Sequence, residues 1–208
     1  QMHILEALTR LRLLCCDPRI GSHGDPDLSP RESAKFERLF ELLDELMEEG
    51  SRVLVFSQFV QMLDLIEAEI RRRDWPFRIL TGQTDDRQEP VEAFQSGDVP
   101  LLLMSLKAAG TGLNLTAADA VILYDPWWNP AVERQATDRA HRIGRKAPVF
   151  IHRLIAKGTV EEGMLALQER KRELIEQVLG GLPGESWTLD AETLAGILGV
   201  PLEAESKS

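Results

Sequence analysis

The sequence predicts an α/β fold with a doubly wound parallel sheet, and three observations carry that prediction. Short apolar runs rich in branched side chains alternate with segments of helical periodicity. Those runs are apolar almost throughout rather than at every second position, as in strands buried on both faces. With 208 residues, 43% of them hydrophobic, the chain is long enough for one sizeable core.

Taken in order, "MHILEALTRLRLLCC" (2 to 16) and the segment 34 to 49 have amphipathic helical spacing. Between them "DPRIGSHGDPDLSPRE" is a loop by its Gly, Pro, Ser and Asp content. Five strands are predicted: "RVLVFS" (52 to 57), "FRIL" (77 to 80), "VPLLLMS" (99 to 105), "AVILYD" (120 to 125) and "VFIHRLIA" (149 to 156). The helical patterns "FVQMLDLIEAEIRRR" and "DDRQEPVEAFQ" lie between them, and Pro90 is expected to delay the start of the second. Strand and helix in alternation imply right-handed crossovers, with ligands at the carboxyl ends of the strands. A long helix over 159 to 179 stops at Gly180 and Gly181, and the tail beyond carries one short helical pattern, "DAETLAGILG". There is no internal repeat.

Charge is segregated. The formal net charge is -10, from 24 Lys+Arg against 34 Asp+Glu. That balance argues against a surface that coats nucleic acid all round, but leaves room for one basic face. Acidic residues crowd 37 to 50, whereas Arg134, Arg139, Arg142, Arg145, Lys146, Arg153 and Lys157 cluster late in the chain. Cys15 and Cys16 are adjacent and form no disulfide framework, so they read as small packing groups in a reducing compartment. No apolar run approaches a membrane span and Gln1 opens no signal-peptide pattern, so a soluble, cytoplasmic protein is expected.

The basic cluster centres on "WWNPAVERQATDRAHRIGRK" (127 to 146). Asn129 can cap a helix and Pro130 fits its first turn, so a helix is predicted from there to about Ile143, before Gly144. Val132, Ala136, Ala140 and Ile143 fall on one buried stripe, with Gln135, Asp138, Arg139 and Arg142 along its edge. Those arginines are either part of a solvated face, with Asp138 and Arg142 paired four residues apart, or guanidinium forks awaiting a polyphosphate or phosphate backbone. Trp127 reads as core packing; Trp128 suits either packing or contact with sugars and bases.

Other strand ends point toward phosphate. "SLKAAGTGLNLTAAD" follows the third strand with Ser105, Lys107, Gly110 and Gly112, and the neighbouring strands end in "SQF", "TGQT" and "DPWWNP". Yet the chain has no G-x-x-x-x-G-K-[ST] loop, no apolar strand running into paired magnesium-binding acids, and no metal-ligand spacing around its four histidines. Arginines without a nucleotide cradle make half of a site.

The block "LLMSLKAAGTGLNLTAADAVILYDPWWNPAVERQATDRAHRIGR" resembles the second motor lobe of the Swi/Snf-related double-stranded DNA translocases of helicase superfamily two, in a form expected to be prokaryotic. "VLVFSQF" is similar to their motif four, "LTGQTDDRQ" to the segment after it, "SLKAAGTGLNL" to motif five and "QATDRAHRIGR" to motif six; the resemblance covers roughly 1 to 180. It implies a RecA-like lobe with a helical inter-lobe segment (1–50), the lobe proper (51–158) and a brace helix (159–181); beyond the resemblance, the residues themselves read as an acidic tail with a short helix (182–208). It also implies that ATP and magnesium sit mainly on an absent first lobe. Arg139 and Arg142, with Gln135 beside them, would reach the phosphates across the cleft as arginine fingers.

By the same resemblance Gly110, Gly112 and Asn114 lie near the nucleotide, while Ser57, Gln58, Thr81, Gly82, Ser105, Lys107 and Trp128 contact the DNA backbone. The sequence departs from the family at Arg145, where many members have Gln, and at Trp127, where many are acidic. The expected function is the C-terminal lobe of a DNA-dependent ATPase, inactive alone. Its partners would be double-stranded DNA, the first lobe and a DNA-bound protein cargo, in the cytoplasm or on a nucleoid. The alternative is a non-catalytic DNA- or protein-binding module built on the same lobe.

Overall fold

A computed structural model describes residues 2–21, 33–109, 113–127, 129–140 and 148–179. Five strands form one wholly parallel sheet: β1 (Val53–Ser57), β2 (Phe77–Leu80), β3 (Leu101–Ser105), β4 (Ala120–Leu123) and β5 (Phe150–Arg153), in the spatial order β2-β3-β1-β4-β5. Parallel order requires crossovers, and the helices supply them: α4 (Val60–Arg72), α5 (Gln88–Ser96), the one-turn α6 (Leu106–Ala109) and α7 (Pro130–Asp138).

Alternation along each strand divides the core into two layers. Val53, Val55, Leu101, Leu103, Ala120 and Ile122 pack on one face beneath α4 and α3 (Ala34–Glu48). Leu54, Phe56, Leu102, Met104, Val121 and Leu123 pack on the other, against Phe94 of α5, Leu106 of α6 and Ala136 of α7. The three central strands are buried at every position. The edge strand β5 departs from the expectation of two-sided burial: Phe150 is 60% and Ile151 45% exposed. Its apolar run is strand-like, but only one side has a ladder partner.

The chain before β1 is helical: α1 (Met2–Cys16), a four-residue turn of helix α2 (Pro18–Gly21) and α3. Composition alone reads residues 17 to 21 as loop. Asp17 orders them instead, accepting from the Arg19 backbone N–H and bidentately from its guanidinium at 2.7 Å. Ser33 caps α3 by accepting from Phe36 N–H. The long C-terminal helix α8 (Val160–Leu179) packs on α1, where Leu8 and Met164 are both 1% exposed. Among the described residues no helix is long and apolar enough to cross a membrane.

Of two helix boundaries, one agrees with the sequence reading and one differs. As expected of Pro90, α5 starts late: it begins at Gln88 rather than Asp85, so Pro90 stands third, in the first turn, where its missing N–H costs no helical bond. Asp86 accepts from the N–H groups of both Gln88 and Glu89. In contrast, α7 stops at Asp138, five residues before the predicted Ile143. The Arg139 carbonyl accepts from Leu115 N–H across the fold, a tertiary bond that competes with helix continuation. Residues 141–147 lie outside the described residues.

Candidate functional site

The carboxyl ends of β1 and β3 lie level, because Ser57 pairs with Ser105, and β2 and β4 end within a residue of that line. The polar ends that the sequence scatters over 57 to 125 therefore meet along one edge of the sheet. Its centre is closed. Ser57 is fully buried and its hydroxyl donates to Asp125 Oδ1 at 2.5 Å, while Gln58 N–H donates to Asp125 Oδ2 at 3.1 Å. Desolvation pushes the Asp125 carboxyl above its ordinary range, opposed by the Ser57 and Gln58 hydrogen bonds.

One residue further, the Pro126 carbonyl accepts from Gln58 Nε2 at 3.3 Å and from Arg12 Nη2 of α1 at 3.0 Å. Arg12 is 5% exposed, its guanidinium 5.4 Å from the Phe59 ring centre. Burial pulls its pKa below the usual arginine value, against the attraction of Asp125. The helical segment before the sheet is thus anchored at the strand ends. Tyr124 completes the anchor by donating its hydroxyl to the Cys16 carbonyl at 2.8 Å.

The expected DNA contacts divide by accessibility. Gln58 is half-buried, and Gly82 and Lys107 are exposed. Thr81 and Ser105 are buried like Ser57, with hydroxyls used locally: Thr81 accepts from Gln83 N–H, and Ser105 accepts from Ala108 N–H in the first turn of α6. As they stand, these three hydroxyls organise the loops rather than face a ligand. Trp128 lies outside the described residues, and half-buried Trp127 packs on the core layer beneath α5 and α7, as packing predicts.

The expected nucleotide-facing groups cluster where α7 ends. Arg139 caps that end, its Nη1 donates to the Leu113 carbonyl at 3.3 Å, and its own carbonyl accepts from Leu115 N–H at 3.2 Å. The segments similar to motifs five and six are therefore stitched together through one residue. Arg139 Nε is buried with no hydrogen-bond partner, an unsatisfied cationic donor at the seam between the two segments, as Arg87 Nε and His152 Nε2 are elsewhere among the described residues. Gln135 and Asn114 are exposed, while Gly110, Gly112 and Arg142 lie outside the described residues. The predicted buried stripe holds at Ala136 and Ala140, both fully buried, and is widened by Glu133 and Thr137, at 2% and 7% exposure.

Three residues that organise this edge escaped the sequence reading: Arg12, Asp125 and Glu133. Arg12 is a charge flanked on both sides by leucines in "LRLLCC", and Glu133 is an acid in the first turn of a helix, both recognisable signals. Nothing in the sequence marks the Asp125 carboxyl as buried, because it closes the predicted strand and precedes a proline, where turn acids are usual.

With this geometry established, residues 34–144 match the helicase conserved C-terminal domain. The chain belongs to that family, in the form found as the C-terminal lobe of SWI/SNF-type ATPases. It is 39% identical over 194 residues to a Bacillus subtilis protein named as an ATP-dependent helicase/translocase, covering 91% of this chain and 21% of that protein. It is 43% identical over 166 residues to a SWI/SNF-related matrix-associated actin-dependent regulator of chromatin of Caenorhabditis elegans, covering 78% of this chain and 16% of the relative. The solved Sulfolobus solfataricus SWI2/SNF2 ATPase core in complex with double-stranded DNA superposes with a TM-score of 0.73 at 33% identity, over 96% of this chain and 42% of that one. The chain spans about a fifth of the length of the curated relatives.

Proposed function

We propose that this chain is the second motor lobe of an ATP-driven double-stranded DNA translocase and hydrolyses no ATP alone. In this reading ATP and magnesium are held mainly by a first lobe, and Arg139 and Arg142 reach across to stabilise charge on the transferred phosphoryl group, with Gln135 beside them. Such fingers are worth about 10³ to 10⁵ in rate. The observation that carries the reading is the state of Arg139: half-buried, fixed through Nη1 to Leu113, with its Nε unpartnered. An arginine satisfied by its own lobe would have no donor left for a phosphate.

DNA contact is assigned to Trp128 and to the level strand ends, through exposed Lys107 and Gly82 and half-buried Gln58, with Ser57, Thr81 and Ser105 shaping the loops. Contact of this kind is mostly to phosphate, so affinity falls steeply with salt and varies little with base sequence. The double-stranded DNA in the Sulfolobus solfataricus complex supports the track, and the prokaryotic form of the translocase is part of this proposal, supported by the Bacillus subtilis relative.

The test is ATP turnover by a two-lobe parent, with single-stranded and with double-stranded DNA, beside the isolated 208-residue chain. Stimulation by duplex in the parent and none in the lone lobe is the expected result. Clear turnover by the lone lobe, or a parent indifferent to DNA, overturns it in favour of a different catalytic site or of a non-catalytic binding module.

A further inference from the structure

We infer that Glu133 is a positioning residue that sets the DNA-facing tryptophan loop relative to the arginine-bearing helix, by holding the peptide group of Trp127. This deepens the functional reading above and rests on it. Glu133 lies in the first turn of α7, is 2% exposed, and accepts from Trp127 N–H through Oε1 at 2.7 Å. Its other oxygen accepts from Arg153 Nε of β5 at 3.2 Å. The Trp127 carbonyl is also taken, by Gln168 Nε2 of α8.

The residues leading into Trp128 are therefore held from both sides: from the helix that follows, through a buried carboxylate, and from the C-terminal helix, through an amide. Immediately after it, Asn129 accepts from Ala131 N–H and starts α7. A carboxylate accepting a backbone N–H at this distance is a strong, charge-assisted bond in a site closed to water. Glu133 also shares α7 with Gln135 and the Arg139 cap. A shift of the loop on DNA is thereby transmitted to the helix that Arg139 caps, and no substrate contact by Glu133 is needed.

The test uses the two-lobe parent, reading the duplex concentration that half-saturates ATP turnover separately from the turnover at saturating duplex. Glu133→Ala removes both acceptors and is expected to raise half-saturating duplex about tenfold, the size of one lost charged hydrogen bond. Glu133→Gln keeps an oxygen for Trp127 N–H and is expected to change it less than about threefold, a rescue that loss of bulk packing does not give. Gln168→Leu, at a half-buried position, is expected to raise it about threefold, and less than additively with Glu133→Ala, since both hold one peptide group.

Should Glu133→Ala fail to fold, Gln168→Leu and Glu133→Gln still carry the comparison. Equal effects of Ala and Gln at 133, or half-saturation unchanged in Gln168→Leu, overturn the inference. An unmodified parent that duplex does not stimulate would instead overturn the translocase reading itself.

Discussion

Ser57 donates its hydroxyl to Asp125 Oδ1 across 2.5 Å, joining the carboxyl ends of two neighbouring parallel strands beneath the surface proposed to meet DNA. The bond explains why the first polar residue after an apolar strand is buried. A carboxylate closed off from water needs donors, and a hydroxyl at a strand terminus is the nearest one. Ser57→Ala leaves Asp125 with only backbone donation from Gln58, so it is expected to lower unfolding free energy by about 1–3 kcal/mol. A urea titration of this chain, with and without the substitution, measures it. An unchanged midpoint at unchanged slope would show that the hydroxyl contributes nothing.

Two acids give the fold pH dependences of opposite sign. Asp125 has its folded pKa raised above 3.8, with burial the largest cause, so the native state holds its proton longer than the unfolded chain. Stability therefore falls as pH rises from about 3.8 through the raised folded value. Glu69 is the reverse: hydrogen bonds from Arg72 first, then Arg73, lower it from 4.5 to about 2. Its contribution is present above 4.5 and is lost as pH falls toward about 2. Denaturant midpoints over a pH series are expected to show a flatter neutral-to-acid decline in Glu69→Gln, with the two proteins converging at the acid end.

Lys35 and Glu161 form a bidentate pair at 2.5 and 2.6 Å, with side chains 6% and 1% exposed, tying α3 to the first turn of α8. Glu161 also accepts from Ala156 N–H at 2.9 Å. Lys35→Met strands a buried carboxylate and is expected to cost about 3–5 kcal/mol. Pairing it with Glu161→Gln, which keeps an acceptor for Ala156 while removing the charge, is expected to recover a large part of that loss. Thermal unfolding of the single and double variants closes the cycle, and additive losses would show the two groups to be independent.

Arg139→Ala in the two-lobe parent is expected to lower duplex-stimulated ATP turnover by about 10³-fold or more while nucleotide binding persists. The substitution also frees the Leu113 carbonyl, so the folded fraction is checked alongside turnover. Arg142→Ala is expected to act alike. Near-normal turnover in either variant removes that arginine from the role of finger.

Much of this architecture was legible in the sequence. The five apolar runs became five parallel strands, Asn129 and Pro130 began a helix, and Ala136 and Ala140 faced inward. Local patterns suffice there, because the period of burial and the choice of capping residue are set within a few positions of the chain. The resemblance of "QATDRAHRIGR" to motif six likewise singles out Arg139, whose unpartnered Nε is the observation on which the functional proposal rests.

Only the tertiary structure decided which polar groups are spent inside the lobe and which remain free. Ser57, Thr81 and Ser105 read alike with Gln58 and Lys107 as phosphate contacts, yet the three hydroxyls are buried and turned to Asp125, Gln83 and Ala108. The end of α7 at Asp138, the exposed edge of β5 and the double hold of Glu133 on Trp127 and Arg153 belong to the same class. Most depend on a partner at least twenty positions away in the chain or on a neighbour missing from one side of a sheet; the bonds of Thr81 to Gln83, Ser105 to Ala108 and Glu133 to Trp127 are local, and there the fold decides the burial rather than the partner. Sequence periodicity reports how a residue faces its own element; hydrogen-bond satisfaction is settled by what the other elements bring to it.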